Sequence, residues 1–151
     1  MKENIKLQLT KIINAKRSKV FAAWCDPNMM KRWYAPAPMT VPKVEVDFKV
    51  GGKYRVDLEG EMNNQQSKGH VSGIYKKIIQ DELLVFTFKG TWQGDVPESL
   101  VTITFQDVAD GTEITLTHEH FIEEESRNNH KLGWQSMLEN LAKISIIQES
   151  V

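Results

Sequence analysis

The last third of the chain decides the fold, where residues 112–144 read TEITLTHEHFIEEESRNNHKLGWQSMLENLAKI. Residues 112–121 are typical of a strand, and the acidic segment that follows starts a helix. The apolar residues of that helix recur at i, i+3, i+4, i+7 and i+10, which places them on one face. They are Trp134, Met137, Leu138, Leu141 and Ile144. A long amphipathic helix after a series of short strands predicts a sheet wrapped around the helix, with a small-molecule cavity between them.

The start of this helix and a glycine inside it are also informative. Glu123, Glu124 and Glu125 fall in or just before the first turn, where negative charge stabilises the helix dipole. Gly133 destabilises a helix by about 1 kcal/mol relative to alanine. We therefore expect something to approach Gly133 closely, either backbone or a ligand.

The N-terminal part of the chain predicts one strand and two short helices. Residues 5–13 alternate between apolar and polar, as in a half-buried strand. Residues 20–24 carry apolar side chains at helical spacing. Asp26 and Pro27 supply an N-cap and a proline at the first position of a second helix, which should end near Trp33.

From residue 42 to residue 120 the apolar period is two, which is typical of strands. Segments 44–48 and 53–59 flank Gly51-Gly52, which can supply the positive φ of a tight hairpin turn. Residues 63–67 indicate a loop, and a loop around residues 92–95 should lie at an end of the sheet, where it affects access to the cavity. Further strands are expected at about residues 68–79, 83–89, 100–106 and 112–120. This order predicts an α+β fold with a curved antiparallel sheet of about six to seven strands.

Length and composition narrow the class of protein. The 151 residues suit a single domain over residues 1–151, and such a domain buries roughly 70% of the surface that its unfolded chain exposes. The net charge of -1, with acids and bases mixed, indicates neither a nucleic-acid partner nor an anionic membrane. No apolar stretch is long enough for a signal sequence or a membrane span, so we expect a cytoplasmic protein without membrane insertion.

Few residues could carry chemistry. The single cysteine, Cys25, excludes an intrachain disulfide and is expected to be a small core residue. His118 and His120 are two residues apart on a strand and should therefore share the face of the core residues Ile114 and Leu116. Two imidazoles could begin a metal site, but no third ligand is marked, so we expect no metal or other cofactor. We expect His118 to be a hydrogen-bonding group in or near the cavity and His120 to lie at its rim.

The strand carboxylates Glu45, Asp47, Asp57 and Glu59 fall on the polar parity, which is typical of a solvated face. Acid–base catalysis needs a buried titratable group within reach of a substrate. The chain has no Gly-x-Ser-x-Gly elbow, phosphate loop or dinucleotide fingerprint. We therefore assign no catalytic residue.

Several motifs together resemble a known family, and they occur at residues 44–55 (VEVDFKVGGKYR), 73–75 (GIY), 84–88 (LVFTF), 112–121 and 133–134 (GW). Their order and spacing are similar to those of bacterial proteins homologous to the C-terminal domain of the heat-shock-protein-90 ATPase activator. That family belongs to the START-like, polyketide-cyclase-like (SRPBCC) superfamily. The resemblance covers nearly the whole chain and implies a helix-grip fold with a deep, mostly apolar cavity. It does not imply one function, because the superfamily includes carriers, cyclases and receptors.

From these arguments we predict a cavity lined by apolar and aromatic side chains. The candidate ligand-binding residues are Trp24, Trp33, Tyr34, Met39, Tyr54, Val56, Leu58, Phe86, Phe88, Val101, Ile103, His118, Trp134, Met137, Leu138 and Leu141. The predicted function is binding of a small hydrophobic or aromatic molecule, such as a lipid, sterol or polyketide, by a carrier or sensor.

Two alternatives remain open. In a cyclase or dehydratase, His118 or Tyr54 would position a proton, and a buried His118 beside a second polar side chain in an open cavity would favour that reading. In a chaperone-associated interaction module, an exposed apolar patch and a collapsed cavity would be expected. We favour chaperone contact least, because one helix-grip domain already accounts for the 151 residues.

Overall fold

The central element of the protein is a curved, seven-stranded antiparallel sheet, seen in a computed structural model that describes residues 5–36, 38–62 and 64–144. Its strands are β1 (Ile5–Ile13), β2 (Thr40–Val46), β3 (Lys53–Met62), β4 (Gln65–Ile79), β5 (Leu83–Gly90), β6 (Ser99–Val108) and β7 (Gly111–Phe121). They lie in the order β1-β7-β6-β5-β4-β3-β2, so β2 to β7 form a meander and β1 pairs with β7. The predicted fold class is confirmed.

Three helices accompany the sheet: α1 (Arg17–Ala22), α2 (Pro27–Met30) and α3 (Glu124–Lys143). The predicted cap of α2 is present, since the backbone N–H of Asn28 donates to Asp26 Oδ1 at 2.9 Å and Pro27 is at the first helical position. This helix ends at Met30, before the expected end near Trp33, because the next residues form turns.

The hairpin between β3 and β4 corrects one expectation. We expected a loop over residues 63–67, but Gln65 to Ser67 belong to β4 and pair with the end of β3. The strands extend further than their apolar pattern because Asn64 adopts a φ of 65°, which asparagine tolerates in a tight turn. Asn63 lies outside the described residues.

The Gly51-Gly52 pair has a wider role than the predicted turn. Gly51 has the expected positive φ, at 85°. The pair also bonds to β4, because the N–H of Gly51 donates to the Tyr75 carbonyl at 2.8 Å and the N–H of Tyr75 donates to the Gly52 carbonyl at 3.0 Å. A β-carbon at Gly52 would collide with the carbonyl oxygen of Asp47, so the close approach requires glycine.

Helix α3 packs on the sheet through the predicted stripe. Trp134, Met137, Leu138 and Leu141 are buried, whereas Ile144 is half-buried and lies just beyond the helix. Polar contacts at the edge of the stripe also hold the helix: Lys11 forms an ion pair of 2.8 Å with Glu139, and Asn140 Nδ2 donates to the Ala35 carbonyl at 2.9 Å. Across the described residues, none of the helices has the length and apolar character needed to cross a bilayer.

Candidate ligand-binding cavity

A cavity of about 1200 Å³ lies between one end of the sheet and the N-terminal half of α3. The sheet contributes Leu58, Val71 and Phe88, from β3, β4 and β5, and the helix contributes residues between 125 and 137. The segment after β5 and the junction between β7 and α3 complete the lining. This volume is slightly above the usual range for small-molecule sites, about 300–1,000 Å³, so a drug-sized molecule would fit.

The predicted site residues fall into three groups. Those that line the cavity are Tyr34, Met39, Leu58, Phe88, Trp134 and Met137. Those that surround a separate space of about 10 Å³, which is too small for an organic ligand, are Trp24, Tyr54 and Phe86, and Tyr34 lines both spaces. Those that are buried in the core without lining either space are Trp33, Val56, Val101, Ile103, His118, Leu138 and Leu141.

Several lining residues were missed by sequence reasoning: Trp92, Phe121, Ile122, His130 and Leu132. Three of them are large, exposed apolar residues. The exposed fraction is 51% for Trp92, 51% for Ile122 and 66% for Leu132. Leu132 lies off the apolar stripe of α3. An apolar residue in that position was the sign in the sequence that could have pointed to this part of the lining. Their exposure shows that the cavity opens to solvent on this side.

Five aromatic residues line the cavity, and we call Tyr34, Phe88, Trp92, Phe121 and Trp134 the aromatic wall. Phe88 is central to it, with ring centroids 5.9 Å from Trp134 and 6.4 Å from Trp92. The Tyr34 and Trp134 rings meet edge to face at 5.9 Å. Such contacts hold the rings in fixed orientations, and Trp92 is the exposed member of the wall.

The expectation that His118 and His120 share a face is wrong. The pairing of β1 with β7 shifts register at the end of the ladder, where Ile5 pairs with Phe121 but Lys6 pairs with Glu119. His120 has a φ of 74° and is exposed, whereas His118 and Phe121 are buried. This β-bulge adds one residue to the strand and therefore reverses the alternation after Glu119. It places Phe121 in the aromatic wall and His120 on the exposed side of the lining.

His118 is a fully buried hydrogen-bonding residue behind the wall. Trp134 Nε1 donates to His118 Nδ1 at 3.0 Å, and His118 Nε2 lies 2.6 Å from Ser99 Oγ. Because an indole N–H can only donate, the neutral imidazole carries its proton on Nε2 and donates to Ser99, whose hydroxyl donates to the Phe88 carbonyl at 3.0 Å. Burial, with a smaller effect of His130, lowers the pKa of His118 well below its usual value.

His130 connects α3 to the segment after β5. Trp92 Nε1 donates to His130 Nε2 at 3.2 Å, so the proton of the neutral ring is on Nδ1, which donates to the Ser126 carbonyl at 2.8 Å. Burial lowers the pKa of His130, and the bond to Ser126 partly opposes this shift. The bond joins α3 to the 3-10 turn Thr91–Gln93 across the edge of the cavity.

Because of these bonds, the two histidines are poorly placed for acid–base chemistry on a ligand. Both ring nitrogens of His118 and of His130 are used inside the protein, so neither presents a basic nitrogen to a ligand. Tyr54 is also engaged, because its hydroxyl donates to the Thr87 carbonyl at 2.6 Å and burial raises its pKa well above the usual value. The polar groups behind the wall therefore fix its shape.

Gly133 faces open space. A β-carbon there would have no atom within 4 Å, apart from adjoining residues and the helix backbone. The expected close approach of backbone is thus wrong, whereas approach by a ligand stays a prediction, because Gly133 lines the cavity.

Other reactive groups lie apart from the cavity. Cys25 is half-buried in the α1–α2 region, and burial, with smaller effects of Asp26 and Asp81, raises the pKa of its thiol to about 11. A thiol of that pKa is a weak nucleophile at neutral pH. No three His, Cys, Asp or Glu side chains in the described part of the chain are grouped so that they could hold a metal ion.

Comparison with known proteins identifies the relatives of this chain. Residues 14–145 match the family model described as "Activator of Hsp90 ATPase homolog 1-like protein". No match was found among curated proteins.

Solved structures agree with this match. Protein NE0264 from Nitrosomonas europaea has a TM-score of 0.80 at 20% identity, with 97% of each chain covered. Protein CV1439 from Chromobacterium violaceum has a TM-score of 0.79 at 24% identity, with 91% of this chain and 95% of that one covered. The AHSA1 (SPO3351) protein from Silicibacter pomeroyi has a TM-score of 0.78 at 23% identity over the same shares. These likenesses establish the fold.

Proposed function

The chain belongs to the family of Activator of Hsp90 ATPase homolog 1-like proteins, and on that premise we propose that it binds a small hydrophobic or aromatic molecule as a carrier or sensor. The fold of this family commonly binds hydrophobic ligands. The observation that carries the proposal is the cavity of about 1200 Å³ beside the aromatic wall. Apolar surface that a ligand removes from water there contributes about 25 cal/mol per Å² to binding before association costs.

A thermal-shift panel of sterols, flavonoid-like aromatics and polyketides tests this proposal. A ligand that binds only the native state raises the unfolding midpoint as its concentration increases. We expect a concentration-dependent rise of several degrees for at least one class. No rise for any class would contradict the proposal.

A pair of variants shows whether the cavity is responsible. Gly133→Leu places an isobutyl group in the open space beside Gly133 and should abolish the rise. Gln135→Leu is the matched control, because Gln135 is exposed on the same helix and does not line the cavity. This control should keep the rise, and a rise that persists in Gly133→Leu would place the ligand elsewhere.

A cyclase or dehydratase receives less support from the geometry. This alternative was expected to show a buried His118 beside a second polar side chain in an open cavity. The expectation is met in part, because His118 is buried beside Ser99 and Ser99 lines the cavity. However, His118 does not reach the cavity, and Ser99 directs its proton to the Phe88 carbonyl. A proton-transfer role would require these bonds to break.

A chaperone-associated module is the second candidate, which the family description suggests. Ile122 and Leu132 are exposed apolar side chains that a protein partner could cover. The cavity beside them is open, whereas this candidate was expected to show a collapsed one. Retention of purified Hsp90 on the immobilised protein, lost in Leu132→Ser, combined with an unresponsive thermal-shift panel, would favour it.

A further inference from the structure

Charge is unevenly distributed around the cavity. Within the described lining, Lys68 is the one lysine or arginine, whereas Glu123 and Glu125 are carboxylates. All three are exposed and therefore lie at the mouth. A ligand carboxylate would thus meet one lysine and two glutamates in this part of the lining.

The N-terminus of α3 would be the natural alternative for an anion, because its free N–H groups and dipole attract negative charge. Here the helix already carries Glu124 and Glu125 in its first turn, after Glu123 at the N-cap position. These carboxylates neutralise the positive end of the dipole and repel a second anion at short range.

Three hydrogen-bond donors of the lining are also engaged. The N–H of Trp92 is bonded to His130, that of Trp134 to His118, and the hydroxyl proton of Ser99 to the Phe88 carbonyl. Transfer of a carboxylate from water to such an apolar surface carries a desolvation cost unless the charge is paired. An uncharged aromatic ring avoids this cost and can stack on the wall.

We propose that the cavity selects uncharged aromatic ligands over anionic amphiphiles of the same size. This inference rests on the proposed function and narrows its ligand class, because it disfavours fatty acids and other organic anions. Glu123 and Glu125 act as specificity-determining residues at the mouth.

Two fluorescent probes that share one ring system test the inference: uncharged N-phenyl-1-naphthylamine and anionic 8-anilinonaphthalene-1-sulfonate. Titration at neutral pH and low salt should give a Kd at least tenfold lower for the uncharged probe. Reversal of the mouth charges in Glu123→Lys/Glu125→Lys should reduce this ratio at least threefold.

The matched control is Glu45→Lys/Glu82→Lys, which makes the same change in net charge at exposed positions outside the lining and should leave the ratio unchanged. Equal or tighter binding of the sulfonate, or a ratio that the mouth variant does not reduce, would overturn the charge preference and leave the proposed function intact. Failure of the uncharged probe to bind would also overturn it. The proposed function itself is decided by the thermal-shift panel, which uses neither probe.

Discussion

Gly133 and Trp134 are neighbours on α3 that shape the cavity in opposite ways. Trp134 fills space, with its ring in the aromatic wall and its N–H on His118, whereas Gly133 leaves space open. Both residues could be selected from the sequence, because an apolar stripe and an unfavourable glycine are visible in it. That His120 does not share the face of His118 could not be predicted, because alternation along a strand gives no sign of a bulge.

At this scale we predict that Gly133→Ala stabilises the protein. The added methyl group meets no other atom within 4 Å, and alanine is more favourable than glycine within a helix by about 1 kcal/mol. Urea denaturation followed by tryptophan fluorescence should show a free energy of unfolding higher by roughly 0.5–1 kcal/mol. A decrease would mean that Gly133 is needed for contact within the protein.

The strands and α3 could be predicted from the sequence, whereas the lining of the cavity is defined only by how these elements pack. The period of two predicted the strands, and the apolar stripe predicted α3, because each signal depends on a single element. The lining was harder to predict, since β3, β4, the segment after β5 and α3 meet there only in three dimensions. Trp92 is an example, because its bond to His130 joins elements that are 38 residues apart.

We predict that the 3-10 turn Thr91–Gln93 controls access to the cavity. Trp92→Ala removes both the indole ring and its bond to His130, so a bound molecule should dissociate more quickly. Stopped-flow dilution of bound N-phenyl-1-naphthylamine should show a dissociation rate higher by about tenfold, since the lost bond is worth about 1 kcal/mol and ring contacts are lost as well. Trp92→Phe is the control that keeps a ring, and its dissociation rate should lie between those of the unmodified protein and Trp92→Ala. Identical rates in all three proteins would show that Trp92 does not cover the bound molecule.

At the scale of the whole molecule, folding commits two histidines to the neutral form. His118 and His130 both have a lowered pKa, mainly because each is taken out of water. Their rings also meet at 5.7 Å, so protonation of one disfavours protonation of the other. Protonation of either ring therefore favours the unfolded state.

We accordingly predict that stability falls as the pH is lowered from 7.5 to 5.5. In the unfolded chain a histidine has a pKa of about 6.5, so below that pH the unfolded state binds more protons than the folded state and becomes favoured. If His118 stays neutral in the folded protein, it alone lowers the free energy of unfolding by about 1.4 kcal/mol at pH 5.5, and His130 adds a smaller loss. The lowered pKa of the Glu139 carboxyl, caused by its bond to Lys11, affects stability only at lower pH, because an unfolded glutamate has a pKa of about 4.3. Urea denaturation at several pH values checks the prediction, with His130→Gln as a variant that should lose part of the pH dependence. A free energy of unfolding that is constant across this range would mean that the buried rings can accept protons without disturbing the bonds behind the aromatic wall.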